Sequence, residues 1–255
     1  MFRTEHLDMP AYARRLRGGV YIWGVVLLMV LAFKALYSSV PTSQLQWLLW
    51  PLATLLNSVS SLTFTPTPSG EWLDADHNLI IVKACAGGNF LIASWLGYLW
   101  RWRDRLGPLI ALKAFGAAWL TTLVANAIRI LLIAHGQNDL ALHTGLSAAD
   151  SHRLIGIIVY FGILSLQLAG AGALVTASAI YLGITLLLPW LNALWSGRSG
   201  IDTDAAAWTA AIPLLAMFGY GLWRLIKSFG RPQVRTRGRT TRLDAMQNHR
   251  HESAQ

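Results

Sequence analysis

Long apolar runs alternate with short polar or arginine-rich stretches along this chain. A helix needs about 20 apolar residues to cross a bilayer. Gly18 to Tyr37 meets that length and is read as a retained anchor, because no A-x-A-like cleavage site follows it. Leu45 to Val59 is shorter, begins beside Gln44 and Gln46, and carries Trp47 and Trp50. It predicts an interfacial or re-entrant helix, with a full span as the alternative. Thr63 to Gly70 holds Pro66, Pro68 and Gly70 and predicts a loop; Leu79 to Val82 predicts a short strand leading into Cys85. Further spans are expected at about Gly88–Trp102, Pro108–Ala134, His152–Gly170, Gly172–Trp195 and Ala207–Lys227. Proline suits the first helical turn at Pro108. Gly136 to Ser151 is expected to be a polar loop, with His135 and His143 at or within its edges. The pattern predicts an all-α polytopic transmembrane bundle of about six spans plus an interfacial helix.

Charge then orients the bundle. Of 255 residues, 54% are hydrophobic and 13% charged, against roughly a quarter charged in a soluble domain. Arginines cluster near the N-terminus (Arg3, Arg14, Arg15, Arg17), at Arg101, Arg103 and Arg105, and along the chain from Arg224 onward. With six spans, the positive-inside rule places all three clusters, and so both termini, in the cytoplasm. Lys83, Arg153 and Arg198 are the main outward exceptions. The net charge of +9 therefore reports topology. A nucleic-acid binder would interleave aromatic and basic residues on a polar surface, and that pattern is missing. Residues 1–227 read as one membrane domain without internal repeats. Residues 228–255 read as a basic, disordered cytoplasmic tail.

Three polar residues change this picture. Arg129 interrupts an apolar run, about 32 Å of helix after Pro108, which carries it close to the outer interface. Asn126, three residues earlier, shares its face. Cys85 is the one cysteine and lies just before a span that descends to the Arg101 loop. Gly87 and Gly88 follow it and permit close backbone approach; their N–H groups suit an oxyanion. Lys83 and Arg129 would favour the thiolate. His152 opens the next span, with Gly156 one turn on. Other readings stay open: Arg129 snorkelling to headgroups, Cys85 as a small buried residue, His152 as an interfacial cap, and His135 or His143 in its place. Together, a thiol nucleophile, a proton-shuttling histidine and an oxyanion-stabilising arginine are equipment for acyl transfer through a thioester. No zinc motif is present, and neither a metal nor a cofactor is expected.

At these residues the chain resembles the exosortase/archaeosortase family of membrane transpeptidases. The carriers are Cys85-Ala86-Gly87, Asn126-Ala127-Ile128-Arg129 and His152-Arg153-Leu154-Ile155-Gly156, over roughly Ile80 to Phe161. Many members have Ser-Gly-Leu-Arg after the cysteine; Ala86-Gly87-Gly88-Asn89-Phe90 here looks more like the exosortase K type. The stretch between Arg129 and His152 is short for the family. The resemblance implies a multi-pass bacterial inner-membrane cysteine protease or transpeptidase with its site at the periplasmic face. Its partners would be exported proteins bearing a C-terminal sorting tail: a Pro-Glu-Pro-like motif, a transmembrane helix and a basic cluster. Cys85 would attack the scissile carbonyl, His152 would shuttle the proton and Arg129 would steady the oxyanion. Asn126, Gly87, Gly88 and Asn89 would help hold substrate. The alternative is a non-enzymatic transporter or assembly factor for envelope or exopolysaccharide export, with Arg129 and Asn126 lining an anion path.

Overall fold

The structure is a computed structural model that describes residues 9–169, 172–195 and 203–229. It is mostly helical. The expected tail from residue 230 onward lies outside the described residues, as do Arg3 and Arg198. The chain divides into two compact units, 1–217 and 218–255. In the second, Arg224 lies over the Tyr220 ring and Lys227 over Trp223, so both cations rest on aromatic faces as they do at membrane borders.

Helix α1 covers Met9–Ser39. Helix α2, Gln46–Val59, buries Leu48, Leu49, Leu52, Ala53 and Leu56. Its 14 residues rise only about 21 Å, too little to cross a bilayer core of about 30 Å. The segment is a short helix, and Trp47 and Trp50 remain exposed on it.

An antiparallel three-stranded sheet follows, so the fold is not purely α as expected. Strands β1 (Thr65–Pro66), β2 (Trp72–Asp74) and β3 (Leu79–Ile81) lie in that order. Trp72 pairs with Ile81 and Asp74 with Leu79. The predicted strand before Cys85 is β3; β1 falls inside the predicted loop, where edge position tolerates Pro66. Asp74, fully buried, ties the sheet together. It accepts from the Thr63 N–H at 2.6 Å and the His77 N–H at 3.0 Å. Burial opposes its ionisation, but these N–H groups and the His77 ring outweigh that and hold its carboxyl below the usual carboxylate range. Gln46 accepts from Trp72 Nε1 and donates to the Gly70 carbonyl, fastening α2 to the sheet.

A 3-10 turn at Lys83–Ala86 leads into α3, Gly88–Arg101. Helix α3 is the most buried helix, and at 14 residues it is short for a span. Helix α4 runs from Pro108 to Thr144, 37 residues, or about 55 Å. This overturns the expected polar loop from Gly136. Polarity marks water there, not irregular backbone, and Leu140, Ala141 and Leu142 keep helix propensity up. The break is confined to Gly145, at φ +70°, and Ser147, whose hydroxyl accepts from the Asp150 N–H to cap α5 (Ala148–Leu168). Helix α6 (Ala173–Leu182), a π-turn and α7 (Leu188–Trp195) form one rod, and α8 covers Thr203–Phe229. Among the described residues, five helices are long and apolar enough to cross a membrane: α1, α4, α5, the α6–α7 rod and α8.

Helices α3, α4 and α5 pack together as the centre. Ser94 and Gln167 exchange hydrogen bonds across α3 and α5, and Arg101 donates to the Gln167 carbonyl at 2.7 Å. At the opposite end of α3 the sheet, the Cys85 turn, the end of α1 and the start of α5 gather.

Candidate functional site

A hydrogen-bond relay organises that end. Asn126, 1% exposed on α4, donates from Nδ2 to the Ala86 carbonyl at 2.9 Å. Its Oδ1 accepts from the Tyr160 hydroxyl at 2.5 Å. Arg129 Nη1 donates to the same hydroxyl at 3.2 Å, and Arg129 Nη2 to His152 Nε2 at 2.7 Å. Helices α4 and α5 and the cysteine turn are thereby joined, the turn through its Ala86 carbonyl. Arginine has only donors, so this bond makes Nε2 the acceptor and puts the imidazole proton on Nδ1.

Two glycines allow the close approach. Gly87 has φ +70°, and a Cβ there would sit 2.6 Å from the Asn126 amide nitrogen. Gly156 lets Arg129 lie flat on α5, where an added Cβ would come within 3.1 Å of Nε. That Nε is buried without a hydrogen-bond partner. Gly88 is buried against the Tyr37 ring, leaving no space for a side chain.

Cys85, partly buried and unbonded to any disulfide partner, lines a cavity of about 60 Å³ with Arg129, His152, Ile81 and Ile133. A larger cavity of about 1090 Å³ adjoins the same pair. Arg129 and His152 line both, so the pair forms a common wall. Gly87, Gly88 and Asn89 line the larger one with Tyr37, Tyr160 and Lys83. The structure thus brings Cys85, Arg129 and His152 to one cavity, with Asn126 holding Tyr160 behind them. Asn89 accepts from Lys34 Nζ. His143 stands apart near the end of α4, bonded to the Asp139 carbonyl at 2.8 Å and exposed.

Sequence reasoning missed Tyr160 and Lys34. Tyr160 follows His152 and Gly156 at four-residue steps, the spacing of one helix face; it also stacks on Phe90 with centroids 4.7 Å apart. Lys34 is a charge within the first apolar run, and an intramembrane charge marks function by default. Among the described residues, no group of three or more His, Cys, Asp and Glu is placed to hold a metal ion. No model of a protein family, no curated protein and no solved structure matches the chain.

Proposed function

We propose that the chain is a membrane-embedded cysteine transpeptidase or peptidase that cleaves C-terminal sorting tails of exported proteins through a thioester on Cys85. The observation that supports it most is the single cavity lined by Cys85, Arg129 and His152, a nucleophile, a donor-only cation and an imidazole from three separate segments.

In the resting arrangement Arg129 occupies His152 Nε2, so the imidazole cannot take a proton through that nitrogen. About 60 Å³ has room for a few waters, not for a peptide. The substrate chain therefore lies in the larger cavity, and its scissile carbonyl draws Arg129 off His152. Three events then follow. The Cys85 thiol gives its proton to the freed Nε2. The thiolate attacks the carbonyl carbon, and Arg129 meets the oxyanion. The C–N bond breaks, the imidazolium returns its proton to the departing amine, and a thioester remains. Water or an acceptor amine then attacks the thioester and regenerates the thiol.

The reading carries a topology. Helix α3, itself only 14 residues, reaches across together with the turns that flank it, Lys83–Ala86 and Arg103–Arg105; counted so it is a sixth crossing, both termini are cytoplasmic, and the site faces the periplasm of a bacterial inner membrane. Co-expression with a reporter bearing a sorting tail tests the function. Processing is expected for the unaltered protein, and loss of at least about 10²-fold for Cys85→Ala, by the scale of lost nucleophilic catalysis. Processing at the unaltered rate by Cys85→Ala contradicts it.

A further inference from the structure

The larger cavity carries positive charge that its protein neighbours do not neutralise. Lys34, Lys83 and Arg129 all line it. Among the described residues none of the three lies within ion-pair distance of a carboxylate; His77–Asp74 and Arg153–Asp150 pair elsewhere. Their partners are neutral instead. Lys34 donates to Asn89 Oδ1. Lys83 donates to the carbonyls of Ser38 at 3.0 Å and Val40 at 2.5 Å, and lies 5.5 Å from the Tyr37 ring centroid. Arg129 bonds Tyr160 and His152.

Partly buried like charges are costly without a counter-charge, and carbonyls and amides supply only dipoles. Lys34 sits five residues before the end of the apolar stretch Ile22–Ser39, about 7.5 Å of helix at 1.5 Å per residue, which is close to headgroup depth. We infer that the 1090 Å³ cavity binds a phosphate-type anion between Lys34, Lys83 and Arg129. A carboxylate has two oxygens in one plane; a phosphate monoester has three non-ester oxygens and a diester has two plus weaker ester oxygens, set tetrahedrally so that two ammonium groups and a guanidinium can approach from different sides. The source is either a phospholipid headgroup or a free phosphate. The inference does not rest on the thiol chemistry, since Cys85 lines the smaller cavity.

The test uses the full chain in lipid discs. In discs of phosphatidylcholine alone, the melting temperature is measured with inorganic phosphate and with chloride at equal ionic strength. In parallel, retention of phosphatidylglycerol against phosphatidylcholine is measured by native mass spectrometry. A melting temperature raised by phosphate over chloride identifies a free-phosphate site; selective retention of phosphatidylglycerol identifies a headgroup site. Either supports the inference if Lys34→Gln with Lys83→Gln lowers the effect at least tenfold while Lys83→Arg, which keeps the charge, preserves it. Cys85→Ala should bind unchanged, which separates this site from the proposed reaction. Neither ligand having an effect, acetate stabilising as well as phosphate, or Lys83→Arg losing binding as fully as the double variant would overturn it.

Discussion

Single residues fix the site by what they leave out as much as by what they supply. Gly87 combines a left-handed backbone with contact on a buried amide. The backbone penalty alone is about 1–2 kcal/mol for a side chain there, and Asn126 has no room to retreat. Gly87→Ala should therefore lower unfolding stability by at least about 2 kcal/mol, measured by thermal melting in detergent. Gly116→Ala on α4 is the control. A Cβ there meets nothing within 4 Å, and the change should be neutral or stabilising by up to about 1 kcal/mol. Tyr160→Phe removes the donor to Asn126 Oδ1 and an acceptor for Arg129. It should cost about 1–3 kcal/mol through unsatisfied buried groups, and a variant as stable as the unaltered protein would remove the relay from the account. Asp74 gives a pH dependence. Its folded carboxyl ionises below its ordinary range, so its contribution is fully present above the unfolded value of roughly 3.9 and is lost as pH falls through the folded value. Asp74→Asn should flatten melting temperature against pH below about pH 4. Asn126 and Arg129 were legible because they break an apolar run, Cys85 because it is the one thiol, and His152 because it opens a span. Tyr160 was not, because an aromatic inside a span looks like ordinary packing until its hydroxyl has a partner.

Elements follow the hydrophobic pattern where length decides and depart from it where polarity was read as irregularity. The apolar runs became helices close to their expected bounds. The sheet was half-hidden, because its strands of two and three residues are too short for alternation to show. The last two turns or so of α4 hold Gln137, Asn138, Asp139 and His143 on helical backbone, so the helix is longer than a bilayer core. Single-cysteine variants made in Cys85→Ala place it. His143→Cys should react with an impermeant thiol reagent added outside, while Val124→Cys, on a lipid-facing apolar stretch, should be shielded. Equal protection of both positions would mean that the far end of α4 is embedded. The same expectation follows for the cap. Ser147→Ala removes the acceptor for the Asp150 N–H and should cost about 1 kcal/mol.

At the scale of the molecule, the sheet, the cysteine turn and the ends of α1, α4 and α5 meet at one end of the bundle, and the Arg101 loop closes the other. Order along the chain and the alternation of spans were enough to expect Cys85, Arg129 and His152 at one end of the bundle, where they line one cavity. They were not enough to foresee that Arg129 and His152 would bond each other and separate two cavities, since that depends on helix rotation and on Gly156. The central claim is covalent chemistry at Cys85. The direct measurement is an acid-quenched reaction of the purified protein with a tail-bearing reporter, followed by mass analysis of the Cys85 peptide. The reporter's amino-terminal fragment is expected as a thioester on Cys85, released by neutral hydroxylamine and strongly reduced in His152→Ala, which lacks the base and acid of the acylation step. Processing of the reporter with no adduct on Cys85, and at an unchanged rate in Cys85→Ala, would contradict it.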